Sequence, residues 1–348
     1  MSETISAIGV LSERSMTDAR ERQLQLTKPP GSLGCLEELA IQIAGITGQQ
    51  RPSVSRRAVI VLAADHGVTE EGVSAYPAEV TAQMVANFLA GGAAINVLAR
   101  AAGARVVVVD IGVRSVVAPH VDLLSRKIRN GTANFRQGPA MTREEAERAI
   151  EVGIDVLIAE ATRGLDLVAV GEMGIGNTTA ASALTACLTG AAVAAVTGRG
   201  TGIDDAARLQ KIGTIERAIE TNMPDRADAV DVLAKLGGLE IAGIAGVMIG
   251  AAARRIPVVL DGFIASAAAL VAVRIAPAIR PFLIAGHRSV EPGHRIALEN
   301  LGLRPLLDLE LRLGEGTGAV LAMHLIDAAM RIQLEMATFG EAGVSDHS

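Results

Sequence analysis

From Arg57 onward the sequence sets short β-branched runs against longer amphipathic stretches, and this alternation constrains the fold more than any other feature. Runs such as Ala58 to Ala64 and Val106 to Val109 are apolar throughout and lack the in-out rhythm of a half-exposed strand, so both of their faces must be covered. Strands separated by helix-length segments form a parallel sheet with crossover helices. We place strands near 58–64, 105–110, 166–170, 257–261 and 282–286. Helical stretches fall near 78–102, 142–162, 177–188, 204–222, 238–254 and 264–274.

Each strand ends in a polar or glycine-rich group: Asp65-His66-Gly67, Asp110-Ile111-Gly112, Gly171-Glu172, Asp261-Gly262 and Gly286-His287-Arg288. Ligands of open α/β sheets lie beyond the carboxyl ends of the strands, so five such endings point to one cleft. The expected fold is α/β, a doubly wound, mostly parallel, Rossmann-like sheet domain over residues 51–304. Outside it, a helix over 12–27 stops at Pro29-Pro30, a second spans Leu36 to Thr47, and a long apolar helix runs from Ala319 to about Met336. Residues 1–50 and 305–348 are thus expected to build a second, smaller helical domain from both chain ends. Gly340 to Ser348 are polar and expected to fray.

The balance of 38 Asp and Glu against 32 Lys and Arg, with no dense basic run, argues against a nucleic-acid partner. Cys35 and Cys187 form no CxxC pair, which suits a reduced cytoplasmic protein. The N-terminus lacks a signal pattern, and the most apolar run, Ile241 to Ala253, is shorter than the roughly 20 residues a bilayer requires. No membrane role is expected, and small-molecule chemistry remains. His66, His287 and His294 lack metal-ligand spacing, so no metal or cofactor is expected and the three rings are assigned to strand-end packing and hydrogen bonding.

Residues 168–184 read as a phosphate cradle. A buried strand runs into Gly171-Glu172-Met173-Gly174-Ile175-Gly176, and a helix follows, capped by Asn177 or Thr178, with its first N–H groups aimed at an anion. Packing alone can also produce a strand, a glycine turn and a helix, but Glu172 inside the turn has little use in a purely structural loop. Gly198-Arg199-Gly200-Thr201-Gly202 is a second such turn at a helix start. Asp204 and Asp205 there are expected to stabilise the helix. Lys211, one of only four lysines, is either a solvated surface residue or a point charge reaching back to a phosphate. Lys28, beside the Pro-Pro-Gly corner, could likewise face an anion. In Gly314-Glu315-Gly316 the flanking glycines let a flat ligand approach a carboxylate that can be desolvated, although a loop glutamate before a Thr317 cap has the same sequence. Neither cradle is a Walker A motif or a Gly-x-Gly-x-x-Gly fingerprint. A dinucleotide-dependent oxidoreductase and a non-catalytic nucleotide sensor remain as alternatives.

Six motifs taken together resemble one family: Thr27-Lys28-Pro29-Pro30-Gly31-Ser32-Leu33-Gly34, Asp65-His66-Gly67-Val68, Gly171 to Thr179, Leu260-Asp261-Gly262-Phe263, Gly286-His287-Arg288-Ser289 and Leu313 to Gly318. They are similar, in order and over about Leu24 to Arg331, to the nicotinate-nucleotide:dimethylbenzimidazole phosphoribosyltransferases of cobalamin lower-ligand synthesis. The resemblance implies transfer of 5-phosphoribose from nicotinate mononucleotide to 5,6-dimethylbenzimidazole, giving α-ribazole 5′-phosphate and nicotinate, in a homodimer. It makes Glu315 the catalytic base. It assigns Glu172, Gly174, Ile175, Gly176, Asn177, Thr178, Gly200, Thr201, Gly202 and Lys211 to the nucleotide and its phosphate. The incoming base would meet Tyr76, Gln83, Met84, Leu313 and Gly314. Tyr76 departs from the pattern, which places a smaller polar residue before Pro77.

Overall fold

β1 (Arg57–Ala64) accounts for the continuous apolar runs. Ala58, Ile60, Leu62 and Ala64 enter one core while Val59, Val61 and Ala63 enter another, and all eight residues are buried. In the computed structural model, which describes residues 1–345, β1 joins β2 (Ala104–Gly112), β3 (Leu123–Ser125), β4 (Leu167–Met173), β5 (Val258–Leu260) and β6 (Leu283–Ala285). Every pair is parallel, and the order β3-β2-β1-β4-β5-β6 is that of a doubly wound sheet. β3 was not anticipated: unlike the equally short but fully buried β5 and β6, it is partly exposed, so no apolar run marks it.

One face of the sheet is covered by helices Arg143–Thr162, Asn177–Thr189, Ala229–Leu236, Leu239–Ala253 and Phe263–Ile275. The other is covered by Cys35–Thr47, Val80–Leu89, Ala94–Ala102 and Thr317–Glu335. Ala229–Leu236 was not anticipated; Gly237-Gly238 separates it from the next helix. The chain ends meet on the second face. Gln23 Nε2 donates to Gln333 Oε1 at 2.6 Å, and Leu26 bridges Thr338. Thr317–Glu335 and Cys35–Thr47 share a core with Val59, Val61 and Val259 of the sheet.

The expected helix over 78–102 is two helices. By length and composition Val80–Ala102, with a mean hydropathy of 1.4, would suffice to cross a membrane. The break at Ala90 to Ala93 divides it into helices of 10 and 9 residues, each shorter than a bilayer's roughly 20. Gly91, at a φ of 76°, makes the turn between them. At the C-terminus, Phe339–Ala342 is a short helix with a Thr338–Glu341 capping box rather than frayed chain. Residues 346–348 of the stretch expected to fray lie outside the described residues.

Candidate active site

The carboxyl ends of β4, β5 and β6 bring Glu172, Asp261 and His287 to one cavity of about 480 Å³. The endings of β1 and β2 do not join them, contrary to the expectation of five. Asp65 and Asp110 instead fix the loop that follows β2, accepting the N–H groups of Arg114 (2.7 Å) and Val113 (2.9 Å).

Asp261 organises the C-terminal end of the site. Its Oδ1 accepts the N–H groups of Gly318 (2.8 Å) and Ala319 (3.1 Å), and its Oδ2 accepts that of Gly316 (3.1 Å). It therefore caps the helix Thr317–Glu335 from another strand, a favourable place for a carboxylate. Thr317 is not the cap; its hydroxyl donates to the Gly314 carbonyl at 2.9 Å. Glu315 sits just before this helix with φ at 63°, a left-handed conformation that costs a non-glycine residue about 1–2 kcal/mol. The Asp261 bonds on one side of the turn help to hold it there.

The Glu315 side chain is buried and lines the cavity, and its Oε2 accepts the Ile95 N–H at 3.2 Å. That donor exists because the break before Ala94 starts a new helix. Burial raises the Glu315 pKa above the ordinary carboxyl value, the Ile95 N–H acts against the rise, and the Asp261 charge adds to it. The β4 and Glu315 turns interlock through missing side chains. A Cβ on Gly171 would lie 2.3 Å from the Glu315 carbonyl oxygen, and one on Gly314 would lie 2.2 Å from Glu172 Oε1.

Glu172 is pushed up to about 8, first by burial and next by the Asp261 charge. Asn177 works the other way, its amide donating to Glu172 Oε2. Asn177 is thus a partner of Glu172 and not a helix cap. The helix Asn177–Thr189 starts at Gly176 with no side-chain cap from Asn177 or Thr178. Two of the turn's N–H groups are already committed, Ile175 to Thr81 Oγ1 (3.1 Å) and Asn177 to the Gly174 carbonyl (3.1 Å).

The second glycine turn is tied in on both sides. Gly200 donates its N–H to Glu291 Oε1 (2.9 Å) and its carbonyl accepts from Arg312 (3.2 Å). Thr201 Oγ1 accepts the Ala75 N–H (3.0 Å), holding the segment that carries Tyr76. Asp204 caps its helix as expected, accepting from Ala207 at 2.8 Å. Lys211 is not a solvated surface residue: it is 1% exposed and donates to Thr178 Oγ1 at 2.7 Å. Burial lowers its pKa to about 8, and the Glu291 charge opposes that shift. Lys28 faces no open anion site, being paired with Glu37 at 2.7 Å.

Of the residues assigned from sequence, Tyr76, Met84, Glu172, Gly174, Ile175, Asn177, Thr178, Gly200, Thr201, Leu313, Gly314 and Glu315 line the cavity. Gly176, Gly202, Lys211 and Gln83 are not on its wall. Gln83 and Gly202 are exposed elsewhere, whereas Lys211 lies beneath Thr178. Phe263, Ile264, Ser289, Glu291 and Arg312 line it without having been assigned. Phe263 and Ser289 sat unused inside quoted motifs. Glu291, beside Pro292, reads in the sequence only as a helix start. His66 and His294 are packed within the protein, His66 Nε2 lying 2.7 Å from Glu240 and His294 bonding the Ser289 N–H at 2.8 Å. Burial lowers the His294 pKa to about 3. His287, by contrast, faces the cavity 3.4 Å from Asp261. Among the described residues no group of three His, Cys, Asp or Glu is placed to hold a metal.

The chain matches the phosphoribosyltransferase family model over residues 8–344. It is 62% identical over 346 residues to the nicotinate-nucleotide:dimethylbenzimidazole phosphoribosyltransferase of Chloroflexus aggregans, covering 99% of this chain and 98% of that one. The enzyme of the same name from Geobacter sulfurreducens is 55% identical over 346 residues, with 99% and 98% covered. A crystal structure of CobT from Thermus thermophilus superposes with a TM-score of 0.92 at 53% identity, covering 96% of this chain and 100% of that one. The glycine turns and the two buried glutamates therefore sit in a fold shared over nearly its whole length, and the chain belongs to the nicotinate-nucleotide:dimethylbenzimidazole phosphoribosyltransferase family.

Proposed function

We propose that this chain transfers the 5-phosphoribosyl group of nicotinate mononucleotide to 5,6-dimethylbenzimidazole, giving nicotinate and α-ribazole 5′-phosphate for cobalamin synthesis. The observation that carries this reading is the position of Glu315, a buried carboxyl of raised pKa at the wall of a cavity also lined by Tyr76, Met84, Phe263 and Leu313. In nicotinate mononucleotide the ring nitrogen is already cationic, so it leaves as neutral pyridine nitrogen and needs no proton. The attacking benzimidazole has to lose one N–H proton, and a single carboxylate within about 3 Å of it suffices. Glu315 takes this role. Glu172, held at about 8, carries its own proton at neutral pH and adds no second charge beside it. Attack opposite the leaving nicotinate inverts the anomeric carbon and gives the α product.

The phosphate belongs at the other end, where Thr178, Gly200 and Thr201 line the wall and Lys211 lies behind Thr178. The homodimer that the family resemblance implies is part of the same proposal, and Val290 and Leu309, each 51% exposed and apolar, are available to such an interface. The two free cysteines suit a cytoplasmic location. A dinucleotide oxidoreductase fits less well, because the glycine turn follows β4 whereas the fingerprint of that class follows the first strand. Incubation with nicotinate mononucleotide and dimethylbenzimidazole, followed by chromatography, should release nicotinate and the ribotide in equal amounts. Binding without release would favour the sensor, and hydride exchange on an NAD analogue would favour the oxidoreductase.

A further inference from the structure

The cavity wall contains an anion at the place where an anion is to bind. Glu291 Oε1 takes the Gly200 N–H at 2.9 Å, within the glycine turn that the sequence marks as a phosphate cradle. The carboxylate is pressed into the turn: a Cβ on Gly198 would lie 2.0 Å from Glu291 Oε2, so only glycine there leaves it room. Oε2 is buried and has no hydrogen-bond partner, and the residue is 8% exposed. On the far side of the turn, Lys211 Nζ lies 3.2 Å from the point a Gly200 Cβ would occupy, and it is bonded to the neutral Thr178 hydroxyl. Among the described residues Lys211 makes no ion pair within 4 Å. Buried anion and buried cation thus share one turn without meeting, and among the described residues neither has an ion-pair partner within 4 Å.

We propose that Glu291 is a built-in competitor for the substrate's phosphate: its carboxylate holds the Gly198–Gly202 turn in shape, is displaced from the Gly200 N–H when a phosphate docks against Lys211, and so weakens phosphate binding. A dianionic phosphate satisfies Lys211 and Gly200 together, which the carboxylate on its own side of the turn does not. This proposal rests on the transferase reading. Substrate and product of that reaction carry the same 5′-phosphate, so a competing anion loosens both and favours product departure.

The test is the dissociation constant of inorganic phosphate, measured calorimetrically for the wild type and for Glu291→Gln, which keeps the shape and removes the charge. Removing one negative charge beside the phosphate should tighten binding about tenfold. In turnover assays the KM for nicotinate mononucleotide should fall with it while kcat does not rise. Unchanged or weaker phosphate binding by a folded variant overturns the proposal. Should the variant fail to fold, a wild-type crystal soaked in inorganic phosphate decides: the phosphate replaces Glu291 at the Gly200 N–H, or the Glu291 contact persists at saturating phosphate and the proposal fails. Phosphate binding is read without turnover, so it judges Glu291 separately from nicotinate release, which judges the function.

Discussion

The two ends of the cavity hold buried charge differently: carboxyl groups alone at one, a lysine and a carboxylate at the other. At the β4–β5 end, Glu172, Asp261 and Glu315 stand close enough for the Asp261 charge to raise both glutamate pKa values. At the other end Lys211 lies under a glycine turn that also holds the Glu291 carboxylate. Burial pushes both kinds of group toward neutrality and brings Glu172 and Lys211 to about 8 from opposite directions. At neutral pH the consequences differ. Glu172 is mostly protonated, while Lys211 is mostly charged and short of a partner. Burial makes Glu315 a stronger proton acceptor at one end, while at the other Lys211 keeps most of its charge despite burial, so mutations at the two ends should have separable effects.

The largest effect should come from Glu315→Gln, which alters only the end proposed to accept the proton. Turnover should fall roughly 100-fold or more, the scale of a lost general base, while calorimetry finds nicotinate mononucleotide still bound. If binding falls with turnover, the two ends are not independent. Lys211→Met breaks the other end while filling its buried volume. Loss of a charge-assisted contact should raise the KM for the nucleotide about 10- to 100-fold with much less change in kcat. A defect confined to kcat would place Lys211 in the chemistry instead.

Glu172 and Glu315 could be found in the sequence because each is a carboxylate set among glycines, and the parallel sheet because its strands are apolar on both faces. The groups that tune them were hidden, since tertiary contact brings them from far away. Ile95 reaches Glu315 across 220 positions and Glu291 reaches Gly200 across 91. Gly91-Gly92 did signal a break, but the apolar run on either side read as one helix, so the N-terminus that supplies the Ile95 donor went unseen. Asp261 was visible as a strand ending. Its bond to the helix that follows Glu315 needed the fold, and Thr317 took its place in the sequence reading because a hydroxyl at a helix start is the local pattern.

A smaller effect should appear in stability against pH. The folded Glu172 pKa of about 8 lies above the ordinary 4.5, so between these values the folded protein binds more protons than the unfolded chain. Stability from this group is fully present below about 4.5 and is lost as pH rises through 8. Glu172→Gln removes that dependence. The Tm of the wild type should therefore fall relative to the variant as pH rises from 5 to 8, measured by scanning calorimetry without substrate. A difference that stays constant over this range would mean that Glu172 is ionised throughout it.

The smallest effect should come from Thr201→Val, which tests how tightly the two ends are coupled. Thr201 Oγ1 accepts the Ala75 N–H at 3.0 Å and lies 3.2 Å from Ser74 Oγ, linking the Gly198–Gly202 turn to the segment that carries Tyr76. Valine keeps the volume and removes both contacts. A lost neutral hydrogen bond is worth about 0.5–1.5 kcal/mol, so a change of roughly 2- to 10-fold is expected. Its distribution is informative. If Thr201 only shapes the Gly198–Gly202 turn, the KM for nicotinate mononucleotide rises alone. If it also holds the Tyr76 segment at the cavity mouth, the KM for dimethylbenzimidazole rises with it, and a single contact then couples the two otherwise separate ends.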